Sequence, residues 1–548
     1  MSDQATTTKT KVSTVSSSSC HSTIVLDTTV PSPAGDASRN PFTSDSHGEA
    51  FIIKVQEALR HWRVPGLALA IVDHHTITSH GYGSSRWGDD APDVTPATIF
   101  DIASMSKSFT ASSMALLVQD EEDEKLNNVK WETPVSRLDV DLRFKDDEMT
   151  RGITVEDILS HRTGLPGHEE SVKGVNHPHP DTLASVVGNM RNLPFAYPIR
   201  TKYEYNNLLY SCAAHLVEKL SGSSFPSYLK TNFWDRLDMS RTWLGPDNVP
   251  STEAQYIAVG SIYSTEKKEV LELPHIPEPE GFGAGSIQSN VEDVARWVHA
   301  QIYRLPPLSS QSYGDLRAPR ILQDVPSEGQ CGMSPSFYCL GWEVCWYHGY
   351  EIVRHDGCWA GFVSSMLYLP EKEWGVVLLA NSEDAGPMEM EILFHLIDTL
   401  LQVPEEKRFD WRAHYDKKIP QWAHIKTKDE LFPDLDEHKD DEPREDPELK
   451  KLTGRYTNKG YHEIELVFDK EKKQLKVDGS DRSNSFIWVI KERAYGYWYV
   501  CENVDPASGE KRTFKCRFEV DGGRQATRFG VDLYEETGDL IWFQKMRV

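Results

Sequence analysis

Three short segments, far apart in the chain, carry side chains suited to chemistry: Ser104-Met-Ser-Lys107, Tyr205-Asn-Asn207 and His355-Asp-Gly357. If a helix begins at Ser104, a separation of three residues puts hydroxyl and amine on one face, a single turn apart. A serine hydroxyl is a poor nucleophile near neutral pH. A lysine stripped of water in a pocket can lose its proton and act as base, or stay charged and lower the cost of the alkoxide. The start of a helix adds positive potential and free backbone N–H groups beneath a developing oxyanion. The spacing by itself says little, because Ser227-Tyr-Leu-Lys230 and Ser264-Thr-Glu-Lys267 repeat it. Ser227 falls in an amphipathic helix and Ser264 in a charged turn, and neither precedes a long apolar helix. In isolation, Tyr205 reads as a core aromatic, Asn207 as a helix cap and His355 as a satisfied structural histidine.

The order of the three segments changes that reading. Ser104-x-x-Lys107, Tyr205-x-Asn207 and His355-x-Gly357 together resemble the signature of the serine β-lactamase-like and penicillin-binding superfamily, specifically its class C β-lactamase, esterase and D-aminopeptidase branch. Blocks such as "TIFDIASMSKSFTA", "ITVEDILSHRTGLPG" and "GAGSIQSNVEDVARW" extend the resemblance over roughly residues 46 to 402. The later Tyr456-Thr-Asn458 lies in a β-rich region and is set aside. The resemblance implies that Ser104 is the acyl-accepting nucleophile, that Lys107 and Tyr205 share proton transfer, and that Asn207 hydrogen-bonds the substrate amide or carbonyl. It also implies an oxyanion hole made by the backbone N–H groups of Ser104 and Cys358, the latter following His355-x-Gly357 on the strand lining the cleft, so that His355 and Gly357 are expected among the residues that hold the substrate. One departure matters. Lactamases and transpeptidases usually carry Lys-Thr-Gly where this chain has His355-Asp-Gly357, and a histidine near its reference pKa of about 6.5 is mostly neutral at pH 7. Carboxylate-bearing β-lactams are therefore less favoured than esters, small amides, peptides with an N-terminal D-residue or acyl thioesters.

These residues need a scaffold, and the apolar patterning supplies one. "EAFIIKVQEALRHW" places Phe51, Ile52, Val55, Leu59 and Trp62 at helical spacing, and "VPGLALAIVDHHTITSHGYG" reads as two strands around a turn at Asp73 to Thr76. Further helices are expected at 154–160, capped by Thr154, at 206–220 and at 290–303. "FVSSMLYLP" and "EWGVVLLANSE" are strands around a charged turn at Glu371 to Glu373. The fold class is α+β: an antiparallel sheet flanked by helices, plus an all-helical subdomain, followed by a C-terminal antiparallel β-barrel similar to the lipocalin-like domains appended to some family members. The expected division is a Ser/Thr-rich tail without order at 1–45, a catalytic domain at 46–405, an acidic linker at 406–449 and the barrel at 450–548.

The net charge of −25, from 59 basic and 84 acidic residues, argues against nucleic acid or an anionic membrane as partner. The eight cysteines follow neither CxxC spacing nor a dense framework, so no disulfide scaffold or zinc ribbon is expected. The "NHPHPD" run lacks a third ligand; no metal and no cofactor are expected. His161 reads as a structural histidine at a helix end. The sequence shows no signal-peptide h-region and no run of transmembrane length, which gives a cytoplasmic expectation. The expected activity is that of a metal-independent serine hydrolase with a small-molecule ester, amide or peptide substrate. An acyltransferase on the same site is the alternative, and a non-enzymatic scaffold using Tyr495, Tyr497, Trp498 and Tyr499 as a binding surface is a third.

Overall fold

The computed structural model describes residues 13–18, 20–26, 39–42, 46–120, 126, 128–326, 332–435, 448–534 and 538–547. An antiparallel sheet is the spine of the first part. Its strands lie in the order Ser13–Ser18, His21–Val25, Thr76–Gly83, Gly66–Asp73, Trp374–Ala380, Phe362–Leu369, Tyr350–Trp359, Glu343–Tyr347, Ser336–Tyr338 and Ile321–Asp324. The helix Ser46–Trp62 leads into the expected hairpin, where Leu67 pairs with Tyr82 and Val72 with Ile77. Trp374–Ala380 then pairs with Gly66–Asp73, so strands from both ends of the segment meet in the middle of the sheet.

The central strands are apolar on both faces because each face is covered. Leu67, Leu69 and Ile71 pack with Phe51, Val55 and Leu59 of the first helix and with Ile392 and Leu396 of helix Gly386–Leu400. Ala68, Ala70 and Val72 face the other way, into a core with Phe109, Trp297 and Val298. Between the two halves of the sheet the chain builds a helical region that includes Ser106–Gln119, Val155–Leu159, Leu183–Asn189 and Asn207–Ser221.

Helix Ser106–Gln119 runs through the interior and is buried nearly all round, Lys107 included. Its small hydroxyl residues make this possible. Ser108 donates to the Met105 carbonyl at 2.8 Å, Ser113 to Phe109 at 2.8 Å and Thr110 to Gly283 at 2.7 Å, so most of these polar atoms enter the core already hydrogen-bonded.

The C-terminal strands, from Gly454–Asn458 to Ile541–Lys545, close into an eight-stranded up-and-down barrel. Tyr456, Trp488, Phe514, Phe518, Phe529 and Phe543 fill its interior. The barrel docks on the helical region: His168 N–H donates to Tyr534 Oη at 2.7 Å, Gly174 N–H to the Asp481 carbonyl at 2.9 Å and Ser483 N–H to the Val172 carbonyl at 3.1 Å.

Three expectations need correction. The tail at 1–45 is not wholly without order, since His21–Val25 pairs with Thr76–His80 at the sheet edge and buries Ile24. The acidic linker at 406–449 begins with helix Trp411–Trp422, and Trp411 stacks on Phe394 at 4.6 Å, so its first turns belong to the catalytic core. Leu431 and Phe432 are also buried, against the barrel; the charged stretch 436–447 lies outside the described residues. Finally, Tyr499 is not a surface aromatic: it points into the barrel, while Tyr495 and Trp498 pack on Phe432.

Candidate active site

Ser104 lies in a 3-10 turn, Ala103–Met105, directly before helix Ser106–Gln119. Ala103 holds φ at +45°, a strained value for a residue with a Cβ. Its N–H donates to Asp101 Oδ1 at 2.7 Å, and Asp101 Oδ2 accepts from Gln288 at 2.6 Å, so the turn is fixed by a buried carboxylate.

Lys107 Nζ lies 2.9 Å from Ser104 Oγ, 2.7 Å from Asn207 Oδ1 and 2.8 Å from the Ala284 carbonyl. Burial drives its pKa well below that of a free lysine, with the Glu169 carboxylate pulling the other way. Asn207 Nδ2 donates to Glu169 Oε1 at 3.2 Å, which turns its oxygen toward the amine. Asn207 and Ala284 present only acceptors to Nζ, so a neutral amine spends both hydrogens there. Its lone pair is then left for the Ser104 hydroxyl.

Tyr205 Oη donates to Ser104 Oγ at 2.8 Å, and burial pushes the phenol pKa up, so it keeps its proton. Its ring lies tilted at 36° against that of His161, with centroids 4.3 Å apart. His161 Nδ1 accepts from the Asn206 N–H at 3.0 Å, and burial next to Lys107 keeps the ring neutral. The helix cap expected of Asn207 belongs to its neighbour: Asn206 Oδ1 accepts from Leu209 N–H at 2.9 Å. That cap starts helix Asn207–Ser221 and aims Tyr205 and Asn207 into one space.

Strand Tyr350–Trp359 closes the other side. Gly357 is packed so tightly against the nucleophile turn that a Cβ would fall 2.6 Å from the Ile102 carbonyl and 2.9 Å from Ser104 N. Cys358 follows and is exposed to the cleft. His355 is placed differently from a substrate-binding residue: it is buried and absent from the cavity wall, with Nδ1 donating to the Asp356 carbonyl at 2.7 Å and Nε2 accepting from Tyr338 Oη at 3.0 Å. Burial, then Lys107, lowers its pKa to about 4, so it is neutral.

The cleft encloses about 330 Å³. Ser104, Tyr205, Asn207 and Cys358 line it, and Ser483 and Asn484 of the barrel form part of its rim. Glu169, Glu280 and the Ala284 carbonyl are site groups that local sequence gives no sign of, because each arrives through long-range packing.

The β-lactamase family pattern matches residues 53–399. The chain belongs to the β-lactamase family. It is 34% identical over 463 residues to an unguisins hydrolase of Aspergillus violaceofuscus, covering 80% of this chain and 78% of that protein. A second unguisins hydrolase, from Aspergillus campestris, is 31% identical over 471 residues, 83% and 85% of the respective chains. Among solved structures, the octameric penicillin-binding protein homologue from Pyrococcus abyssi superposes with a TM-score of 0.57 at 20% identity, covering 91% of this chain and all of that one, which supports the fold. No described helix is long and apolar enough to cross a membrane.

Proposed function

We propose that this chain is a serine hydrolase that opens esters or small amides, peptides included, through an acyl-enzyme on Ser104. One observation carries the reading: Ser104 Oγ stands 2.9 Å from a buried amine and 2.8 Å from a buried phenol, on the wall of a partly closed cavity. Lys107, kept uncharged by burial, takes the Oγ proton as that oxygen adds to the substrate carbonyl. The oxyanion faces the backbone N–H groups of Ser104 and Cys358. Tyr205 gives its proton to the leaving oxygen or nitrogen as the carbonyl bond to it breaks, and the Lys107 ammonium, 4.8 Å from the phenol ring centre, restores it. Water then adds to the acyl carbonyl, the same pair carries its proton to Ser104 Oγ, and the acid leaves. The Aspergillus relatives are named as unguisins hydrolases, which supports water as the acyl acceptor.

A fluorophosphonate probe tests the assignment. The expected result is one adduct per chain, on Ser104 by peptide mass, and none on Ser104→Ala. Equal labelling of both proteins would refute it.

A further inference from the structure

Part of the cavity wall is acidic. Glu169, Glu278 and Glu280 line the cavity, and among the described residues no lysine, arginine or histidine does. Glu169 is engaged with Asn207, but the other two sit on the 3-10 turn Pro279–Gly281 and its entry, beneath the barrel. Glu280 is only 2% exposed; one of its carboxyl oxygens accepts from Ser483 Oγ, while Oε2 has no partner. A buried carboxyl oxygen left without a donor is costly, and a ligand that supplies one removes the cost. Burial and mutual repulsion with Glu280 raise the Glu278 carboxyl well above the usual range, as expected for two acids facing the same space without a cation between them.

We propose that Glu278 and Glu280 recognise the acyl donor: their carboxyl oxygens accept N–H groups of the substrate, while a substrate carboxylate meets two acids and no counter-charge. The inference rests on the hydrolase reading above and names the substrate class for it. The donor carries nitrogen-bound hydrogen beside the scissile carbonyl, from an ammonium or a backbone amide, and no acid within the cavity. Val172, Val186, Leu208 and Trp359 supply apolar wall for its side chains. A β-lactam or a peptide cleaved next to its C-terminal carboxylate fits poorly. An internal amide, or one in a closed or blocked chain, fits.

Four methyl esters separate the possibilities: alanine, N-acetylalanine, N-succinylalanine and isobutyrate, in which a methyl replaces the amine. The expected result is kcat/KM for the alanine or the N-acetylalanine ester at least tenfold above both the isobutyrate and the succinyl ester. The order of the first two tells ammonium from amide. In a protein carrying both Glu278→Gln and Glu280→Gln, the handicap of the succinyl ester relative to N-acetyl should shrink at least tenfold. The inference is overturned if isobutyrate matches the nitrogen-bearing esters, if the succinyl ester is preferred, or if a folded double variant keeps the full handicap. The wild-type comparison stands by itself where the double variant fails to fold. Ester turnover lost in Ser104→Ala but indifferent to nitrogen would sink this inference alone. Turnover independent of Ser104 would sink the hydrolase reading.

Discussion

Gly357→Ala is a substitution of one methyl group that should remove most activity while leaving the fold in place. The added Cβ would lie 2.5 Å from Ser364 Oγ, 2.6 Å from the Ile102 carbonyl and 2.9 Å from Ser104 N, where ordinary contact needs 3.4 Å or more. Ser364 cannot simply rotate, because its hydroxyl donates to the Ile102 carbonyl at 2.8 Å and ties strand Phe362–Leu369 to the nucleophile turn. The other two contacts are backbone. Strand Tyr350–Trp359 must therefore move back by roughly 0.5–1 Å, a shift that overpacking studies associate with about 1–3 kcal/mol of lost stability. On the proposed mechanism, Cys358 N–H moves with it and would no longer converge with Ser104 N–H on one oxygen. Losing one oxyanion donor costs about 10²- to 10³-fold in kcat, or roughly 3–4 kcal/mol of transition-state stabilisation. The assay is steady-state hydrolysis of a small methyl ester beside a thermal melt: kcat should fall at least a hundredfold and the melting point by a few degrees. Adding Ser364→Ala relieves only one of the three contacts and should not restore kcat. A Gly357→Ala protein with unchanged kcat would show that this strand does not help to stabilise the oxyanion.

Three further outcomes follow from the same geometry. Tyr205→Phe keeps the ring on His161 but removes the proton carrier, so kcat should fall about 10²- to 10⁴-fold with little change in melting temperature; a drop under fivefold would remove Tyr205 from proton transfer. Glu169→Gln acts on pH dependence: the Glu169 carboxylate raises the Lys107 pKa, the proposed mechanism requires neutral Lys107, and so the acid limb of kcat/KM should move to lower pH. A limb that stays in place or moves upward contradicts the sign. Replacing Asp481–Asn484 by glycines removes the barrel's Ser483 and Asn484 from the cavity rim, and the kcat/KM ratio of long to short acyl esters should rise at least threefold; an unchanged ratio means that the barrel leaves donor size unselected.

Residues that act through local chain geometry were readable in advance. Ser104 and Lys107 are one helical turn apart, and Tyr205 and Asn207 flank a cap, so spacing along the chain already fixes their separation in space. The Ser104-to-Lys107 contact then follows once the helix is buried. The hairpin beginning at Gly66 and the barrel were equally legible, because apolar alternation at a period of two has few other solutions. The edge strand His21–Val25 was not, since its partners Thr76 to His80 are themselves mostly polar and the pairing rests on backbone hydrogen bonds that composition does not reveal.

The distinction between local and long-range placement also explains His355. Its position beside Gly357 suggested a substrate contact, but a strand sends alternate side chains to opposite faces, and only contacts across the sheet decide which face meets the cleft. In the fold the cleft side goes to Cys358, and His355 points toward Tyr338, 17 residues earlier in the chain. The consequence is electrostatic as much as geometric. With the imidazole turned inward and neutral, no lysine, arginine or histidine lines the cavity among the described residues, and its ionisable side chains include the glutamates at 169, 278 and 280, whose carboxyls burial raises above the usual range. The strand that carries His355-Asp-Gly357 thus brings no cation to the described wall of the cleft, and on the inference drawn above the selection of substrate passes to acids that the motifs do not include.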